Sequence, residues 1–269
     1  MISTADLAAY SPLTVNFARR ELAARYKRSL LGWTWSIINP LSTVAIYTLV
    51  FGVMFRAAPP LTANGRAEYF SLYLFNGLIV WSFFTAVLNG SMGWMGSVSE
   101  MRKKVYFPAE TAIFGGAIAV GVQSALEALV LFAIMLALLN VGPLFLLFPV
   151  VLLMAGLFGL GLGLMVAILN TLYRDVSYLI GIVLNLTFFL VPIVYTPEIL
   201  PDEAYGLPIK TLLAFHPMAP FVGAGHDVVY FQHLPSVGRV AAMIAWTVAS
   251  LSFGLWYFRK RSMAISEEL

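Results

Sequence analysis

The sequence contains no cysteine, which excludes a disulfide framework, a thiolate metal site and a cysteine nucleophile. Charge is scarce as well. Asp, Glu, Lys and Arg make up only 11% of the 269 residues, against about 25% in an ordinary soluble domain. That is too little to coat a water-facing surface, so lipid is the expected solvent for most of the chain. A Gly-rich phosphate loop is missing too. None of the five lysines, Lys27, Lys103, Lys104, Lys210 and Lys260, follows a glycine. Any ATP used here must be handled by a separate chain. No removable leader is expected. The first charge is Asp6, no short apolar run closes on a cleavage site, and Glu21 interrupts the twin Arg19-Arg20 pattern. No sequence repeat or low-complexity tract is visible, and one membrane domain accounts for the chain.

What is abundant is apolar surface, at 60% hydrophobic residues. A spanning helix needs about 20 mainly apolar residues. Stretches free of Asp, Glu, Lys and Arg, with Glu127 alone inside one of them, predict six spans near 33–55, 70–92, 111–139, 144–170, 176–196 and 239–258. The third and fourth are separated at Asn140-Val141-Gly142-Pro143, a helix stop and turn. The fold class is therefore an all-α membrane protein.

Basic residues orient the spans. Arg19, Arg20, Arg25, Lys27, Arg28, Arg102, Lys103, Lys104, Arg174, Arg259, Lys260 and Arg261 fall on one side, twelve in all. Arg56, Arg66, Lys210 and Arg239 make four on the other. The positive-inside rule puts both termini in the cytoplasm. Residues 197–238 form one long outer connection. Its run from Thr211 to Gly225 is apolar, too short to span, and broken by Pro217 and Pro220. This predicts short re-entrant or interfacial helices between the fifth and sixth spans.

Few residues suggest chemistry. Glu127 is the one acid well inside a span. It is either a proton or substrate site or a bundle-facing acid bonded to a neighbour such as Gln123, and the second reading is favoured. His216, His226, Asp227 and His233 match no helical two-histidine zinc spacing, and His226 and Asp227 would diverge on a helix. Capping and headgroup contacts suffice for them. Gly159 and Gly163 form a small-residue pair suited to close helix packing.

Two basic segments are more informative. Residues 11–31 place Leu13, Phe17, Leu22 and Tyr26 along one stripe, with Arg19, Arg20 and Lys27 beside it. This is the pattern of an amphipathic helix at the membrane surface. Residues 97–110 mix Glu100, Arg102, Lys103 and Lys104 with Val105, Tyr106 and Phe107, then stop at Pro108. A basic loop beside headgroups accounts for the cations. A short helix docking in a partner's groove accounts for the aromatic pair as well. In the first span Tyr47, Phe51 and Phe55 recur every four residues and share one face, an arrangement that Phe188, Phe189 and Tyr195 approach in the fifth. Periodicity alone favours helix packing for both sets.

The stretch Arg19-Arg20-Glu21-Leu22, Arg25-Tyr26-Lys27, Ser29-Leu30-Leu31-Gly32, Trp35 and Pro40 resembles the N-terminal signature of ABC type-2 exporter permeases for polysaccharides. These are the membrane subunits that move O-antigen, teichoic acid, capsule or galactan chains. Tyr106-Phe107-Pro108, Leu169-Asn170, Tyr173-Arg174-Asp175-Val176, Pro192, Tyr195, Pro217 and Pro220 also match. Where the family often has Asn-Pro-Leu, this chain has His216-Pro217-Met218. Gly223-Ala224-Gly225-His226-Asp227 stands where an acidic and an Arg residue often follow.

The resemblance implies a homodimer of six-span subunits in the bacterial plasma membrane, served by two copies of a separate ATPase that bind ATP and Mg. This chain would itself hold no cofactor, catalyse no reaction and bind no nucleic acid. Residues 1–32 would carry the interface helix and residues 33–269 the transmembrane domain. Glu100, Arg102, Lys103, Lys104, Val105, Tyr106 and Phe107 would belong to a coupling helix over about 97–107. Residues 197–238 would form an outer gate. Tyr47, Phe51, Phe55, Phe188, Phe189 and Tyr195 would face a channel between subunits. Arg19, Arg20, Arg25 and Tyr26 would lie where the diphosphate end of a lipid-linked glycan enters. The alternatives are a type-2 exporter of drugs or lipids and, in another class, a membrane-embedded glycan-modifying enzyme.

Overall fold

A computed structural model describes residues 10–25, 27, 29–56, 60, 62, 69–102, 107–173, 175–197, 201–203, 206 and 208–268. Among these residues there is no strand. The helices are α1 (Ser11–Arg25), α2 (Trp35–Tyr47), α3 (Phe70–Arg102), α4 (Glu110–Ala137), α5 (Phe148–Leu172), α6 (Val176–Leu190), α7 (Ile209–Ala214), α8 (Ala219–Gly225) and α9 (Val237–Glu268). Among the described residues, five helical stretches are long and apolar enough to cross a membrane: Gly32–Met54, Phe70–Ser99, Glu110–Ala137, Pro143–Leu172 and Val237–Arg261.

The predicted fifth span is shorter than expected. Helix α6 has 15 residues, or about 22 Å at 1.5 Å per residue. It stops at Leu190, not near 196, because Val191 precedes Pro192 and takes an extended conformation (ψ 138°). The chain then packs inward in turns, burying Val191 and Ile193. Helix α3 is longer than expected. Its 33 residues reach about 50 Å, well beyond the roughly 30 Å apolar core of a bilayer. Residues 97–102 are thus its last turns, not a separate short helix.

Helix α3 is the centre of the bundle. Helices α4 and α5 pack on it, α9 packs on α5, and α1 lies along α4. Glycines let α5 approach two neighbours. Gly156, Gly159 and Gly163 face Phe83, Phe84 and Ser91 of α3; a methyl group on Gly159 would sit 2.9 Å from the Phe84 carbonyl oxygen. Gly161, on the opposite face, meets the Ser250–Leu251 backbone of α9. The close-packing role expected for this glycine cluster is therefore split between two helices.

The first span is built differently. Pro40 lies inside α2 and removes a backbone donor. The helix then widens into a π-helical stretch, Thr48–Met54. Only 6% of the central window of this span is buried, against 78% for the second. No residue of α6 is fully buried. These are the two spans that the rest of the chain covers least.

Candidate functional site

The end of the bundle that carries α1, the α3–α4 connection and Arg259–Arg261 is here called the basic end. There, α1 turns Leu13, Thr14, Phe17, Ala18, Glu21 and Leu22 inward, a spacing of three and four residues. Phe17 and Ala18 are buried, and a small cluster joins Phe17 to Val98, Phe107 and Ala112. The rings of Phe17 and Phe107 are 5.9 Å apart. Gly115 of α4 makes room, since a methyl group there would strike the Phe17 side chain. Arg20 lies over the Phe17 ring and donates to the Ser97 hydroxyl at 3.3 Å. The N-terminal helix is thus fastened to both helices that flank the α3–α4 connection. Thr111 donates to the Pro108 carbonyl at 2.6 Å and fixes the first turn of α4.

Of the predicted surface arginines, Arg19 and Arg25 are exposed and Arg20 is tied to Ser97. Arg25 lies close enough to act electrostatically on Glu127 of α4. Gln123 donates to the Glu127 carboxylate at 3.1 Å, the bonded-acid arrangement favoured from the sequence. Tyr26, Lys103, Lys104, Val105 and Tyr106 lie outside the described residues, as do the side chains of Glu100 and Arg102. Phe107, at the start of the next segment, is buried.

Within the membrane the two aromatic sets behave differently. Tyr47, Phe51 and Phe55 form a continuous row, with ring centroids 6.0 Å and 5.9 Å apart. Phe55 is the most exposed of the three at 68%. Phe51 extends the row to Phe70 at 5.0 Å, and Phe70 extends it to Tyr73 at 6.1 Å. Thr48 ties this face to α3 by a bond to Ser71 at 2.8 Å. Phe188 and Phe189 do not share a face. Phe188 turns toward Trp81 of the core, 5.8 Å away, while Phe189 is exposed. Adjacent helical positions are separated by about 100° and cannot both look the same way.

At the far end of the bundle, Ala219 to Phe231 enters between α3, α5 and α9. Its residues from Pro220 to Tyr230 are buried except Gly223. Of the broken apolar run expected to re-enter, Thr211–Gly225, only the second half is buried here, while Thr211, Leu212, Ala214 and Phe215 stay exposed. As expected, His226 and Asp227 diverge. The His226 ring stacks on Tyr73 at 3.8 Å, and its Nε2 lies 3.0 Å from the Tyr73 carbonyl oxygen. A carbonyl can only accept, so Nε2 carries the proton. Burial pushes the His226 imidazole down to about 3, so the ring is neutral. Asp227 faces Arg239 of α9, which bonds its Oδ2, and His233, in the connection before α9, places its Nε2 3.6 Å from Oδ1. Burial also lowers the affinity of His216 for its proton, and raises the phenol of Tyr195.

Two further ties hold this element, and a third fastens Tyr195 to α3. Gln232, in a left-handed conformation (φ 53°), donates to the Asn140 carbonyl at 2.7 Å and its side-chain oxygen at 3.1 Å. This locks it to the predicted Asn140–Pro143 turn. Tyr230 donates to the Pro60 carbonyl at 2.9 Å, and Tyr73 to the Tyr195 carbonyl at 3.4 Å. A cavity of about 810 Å³ opens between this element, residues 192–197 and α9. Sequence reasoning missed Tyr73, Asn140, Gln232 and Arg239 as partners of this element. The broken apolar run and the His226-Asp227 pair are the sequence signals that point there.

The chain matches the model of the ABC-2 type transporter family over residues 13–207. It belongs to that family. This permease is 27% identical over 266 residues to the O-antigen export system permease protein RfbA of Myxococcus xanthus, covering 98% of each chain. A Klebsiella pneumoniae protein of the same name is 22% identical over 218 residues, 80% of this chain and 79% of the relative. The polysialic acid transport protein KpsM of Escherichia coli is 21% identical over 253 residues, 91% and 92% of the two chains.

Proposed function

We propose that this permease exports a lipid-linked polysaccharide across the plasma membrane as a homodimer, driven by two copies of a separate ABC ATPase. The reading is carried by one observation: the correspondence with a named O-antigen export permease runs through 98% of both chains. Two features support the dimer. The first span and α6 are the helices least covered within one chain. The first span also carries the aromatic row of Tyr47, Phe51 and Phe55. Aromatic faces stack on sugar rings without gripping them, which suits a chain that must slide. In this reading the basic end is cytoplasmic, ATP and Mg are bound by the ATPase, and α1 with the α3–α4 connection receives its movement. Arg19, Arg20 and Arg25 attract the diphosphate end of the substrate. Phe189 and Tyr195 stand nearer the path than Phe188, which faces the core.

Mass spectrometry of lipid-linked glycans after depletion of the protein in its own host tests this. Accumulation of one long polyprenyl-linked polymer is the expected result. No accumulation, with glycan still reaching the cell surface, overturns it.

A further inference from the structure

Two stretches of the described chain are π-helical: Thr48–Met54 in the first span and His226–Phe231 in the re-entrant element. Such turns are rare and concentrate at functional sites. Both press on the same two turns of α3. In the first, Thr48 bonds Ser71, and the Phe51 ring lies 5.0 Å from Phe70. In the second, His226 stacks on Tyr73 at 3.8 Å and bonds its carbonyl. It also lies against Gly77, where an added methyl group would come 3.2 Å from its Nε2.

Phe70 and Tyr73 join the two segments. They lie one helical turn apart with ring centroids at 6.1 Å, and both are buried. Tyr73 also meets Tyr230 edge-on at 5.4 Å, and its hydroxyl donates to the Tyr195 carbonyl. Its ring is thus held by the re-entrant element, by the segment after α6 and by Phe70. Close-packed rings pass a displacement on instead of absorbing it. The two ends of this series are covered unequally: the first span is the span least covered by the rest of the chain, and the re-entrant element is almost wholly buried. We propose that Tyr73 is the positioning residue through which the aromatic face of the first span sets how firmly the re-entrant element is seated. When the Phe51 ring leaves Phe70, the Phe70 and Tyr73 rings follow, and the stack and carbonyl bond that hold His226 weaken. A separate stack, Phe84–Phe158–Phe221, holds the element from the core. The inference rests on packing within one chain and does not depend on what the transporter exports.

The chain has no cysteine, so an introduced thiol is unique. Val228→Cys places one in the buried π-helical segment. Labelling of the full chain by N-ethylmaleimide in phosphatidylcholine nanodiscs, followed by mass spectrometry, reads how often the element opens. Phe51→Ala should raise the labelling rate about five-fold or more, the scale of a coupling between two sites. Phe55→Ala, which removes the ring of the row beyond Phe51, should leave the rate unchanged. On a Tyr73→Leu background Phe51→Ala should add nothing, while on Tyr73→Phe, which keeps the ring, it should retain its full effect. Phe70→Leu, which removes the intermediate ring, gives the same comparison if Tyr73→Leu does not fold. On Phe158→Leu, which loosens the element from the core, the Phe51→Ala effect should persist. A rate that ignores Phe51→Ala, or an effect that survives in full on Tyr73→Leu or Phe70→Leu, overturns the inference. So does equal acceleration at Ala119→Cys, a buried position in α4, which would mark the effect as loosening of the whole bundle.

Discussion

Phe17 of the N-terminal helix rests against Phe107, the residue that leads into α4, with ring centroids 5.9 Å apart. The contact makes α1 part of the bundle, not a paddle lying free on the lipid. Replacing Phe17 by Ala removes the larger of the two buried side chains of α1, at a cost of about 3–5 kcal/mol. Amide hydrogen exchange should then accelerate at least ten-fold in residues 11–25, with exchange in α5 unchanged. Equal protection in wild type and variant would mean that lipid, not Phe17, holds the helix.

Gly161 of α5 and Gly254 of α9 are each pressed on the other helix's backbone, so a side chain at either position has nowhere to go. Gly161→Leu should destabilise by about 1–3 kcal/mol or more through overpacking. Thermal unfolding in detergent reads this as a lowered midpoint. Gly93 has nothing within 4 Å of an added methyl group. Gly93→Ala should be neutral or slightly stabilising, because Ala is the better helix former. A lowered midpoint in both variants would mean that the effect at Gly161 does not come from its contact with α9.

Asp227 and Arg239 join the re-entrant element to the last span. Asp227 is buried, while Arg239 keeps part of its side chain exposed, so removal of either partner should cost about 2–3 kcal/mol, the lower end for a buried pair. In a double-mutant cycle, Asp227→Asn with Arg239→Gln should cost less than the sum of the single changes. The difference, read from denaturant midpoints, should be at least 1 kcal/mol. Additive effects would show that the pair is not coupled.

His226 supplies a pH dependence. Its folded-state pKa of about 3 lies below the 6.5 of an ordinary histidine. The unfolded chain therefore binds the extra proton between these values. The stabilisation is complete above pH 6.5 and declines, by about 1.4 kcal/mol per pH unit, as pH falls toward 3. The unfolding midpoint should drop between pH 7 and pH 5. His226→Phe, which keeps a ring against Tyr73, should flatten that part of the profile. An unaltered slope in the variant would assign the acid sensitivity to other groups.

Much of the architecture is legible in the linear pattern because lipid imposes a length and a composition on each crossing. The ends of α4 and α5 fall within a few residues of the predicted spans, since Asn140–Pro143 carries its own helix stop. Pro192 is legible too, but the point at which α6 stops before it is not. The apolar run continues past it, and hydropathy does not register a missing donor. The candidate site was less legible. Tyr47, Phe51 and Phe55 form the expected row because all three belong to one helix. Phe188 and Phe189 part company because neighbouring positions must. The partners of the re-entrant element could not be read: Tyr73 with His226, Asn140 with Gln232 and Asp227 with Arg239 join residues 153, 92 and 12 positions apart.

By itself the sequence determined the solvent, the class of fold and the division into apolar spans and basic connections, because these follow from local composition and from the free energy of placing charge in hydrocarbon. It also placed the breaks, through proline and glycine. Tertiary structure alone decided which face of each span is covered. It also decided that α1 is anchored through Phe17, and that a buried histidine and a buried ion pair secure the re-entrant element. Those outcomes depend on distances between helices, and the distances come from packing, which no single helix encodes.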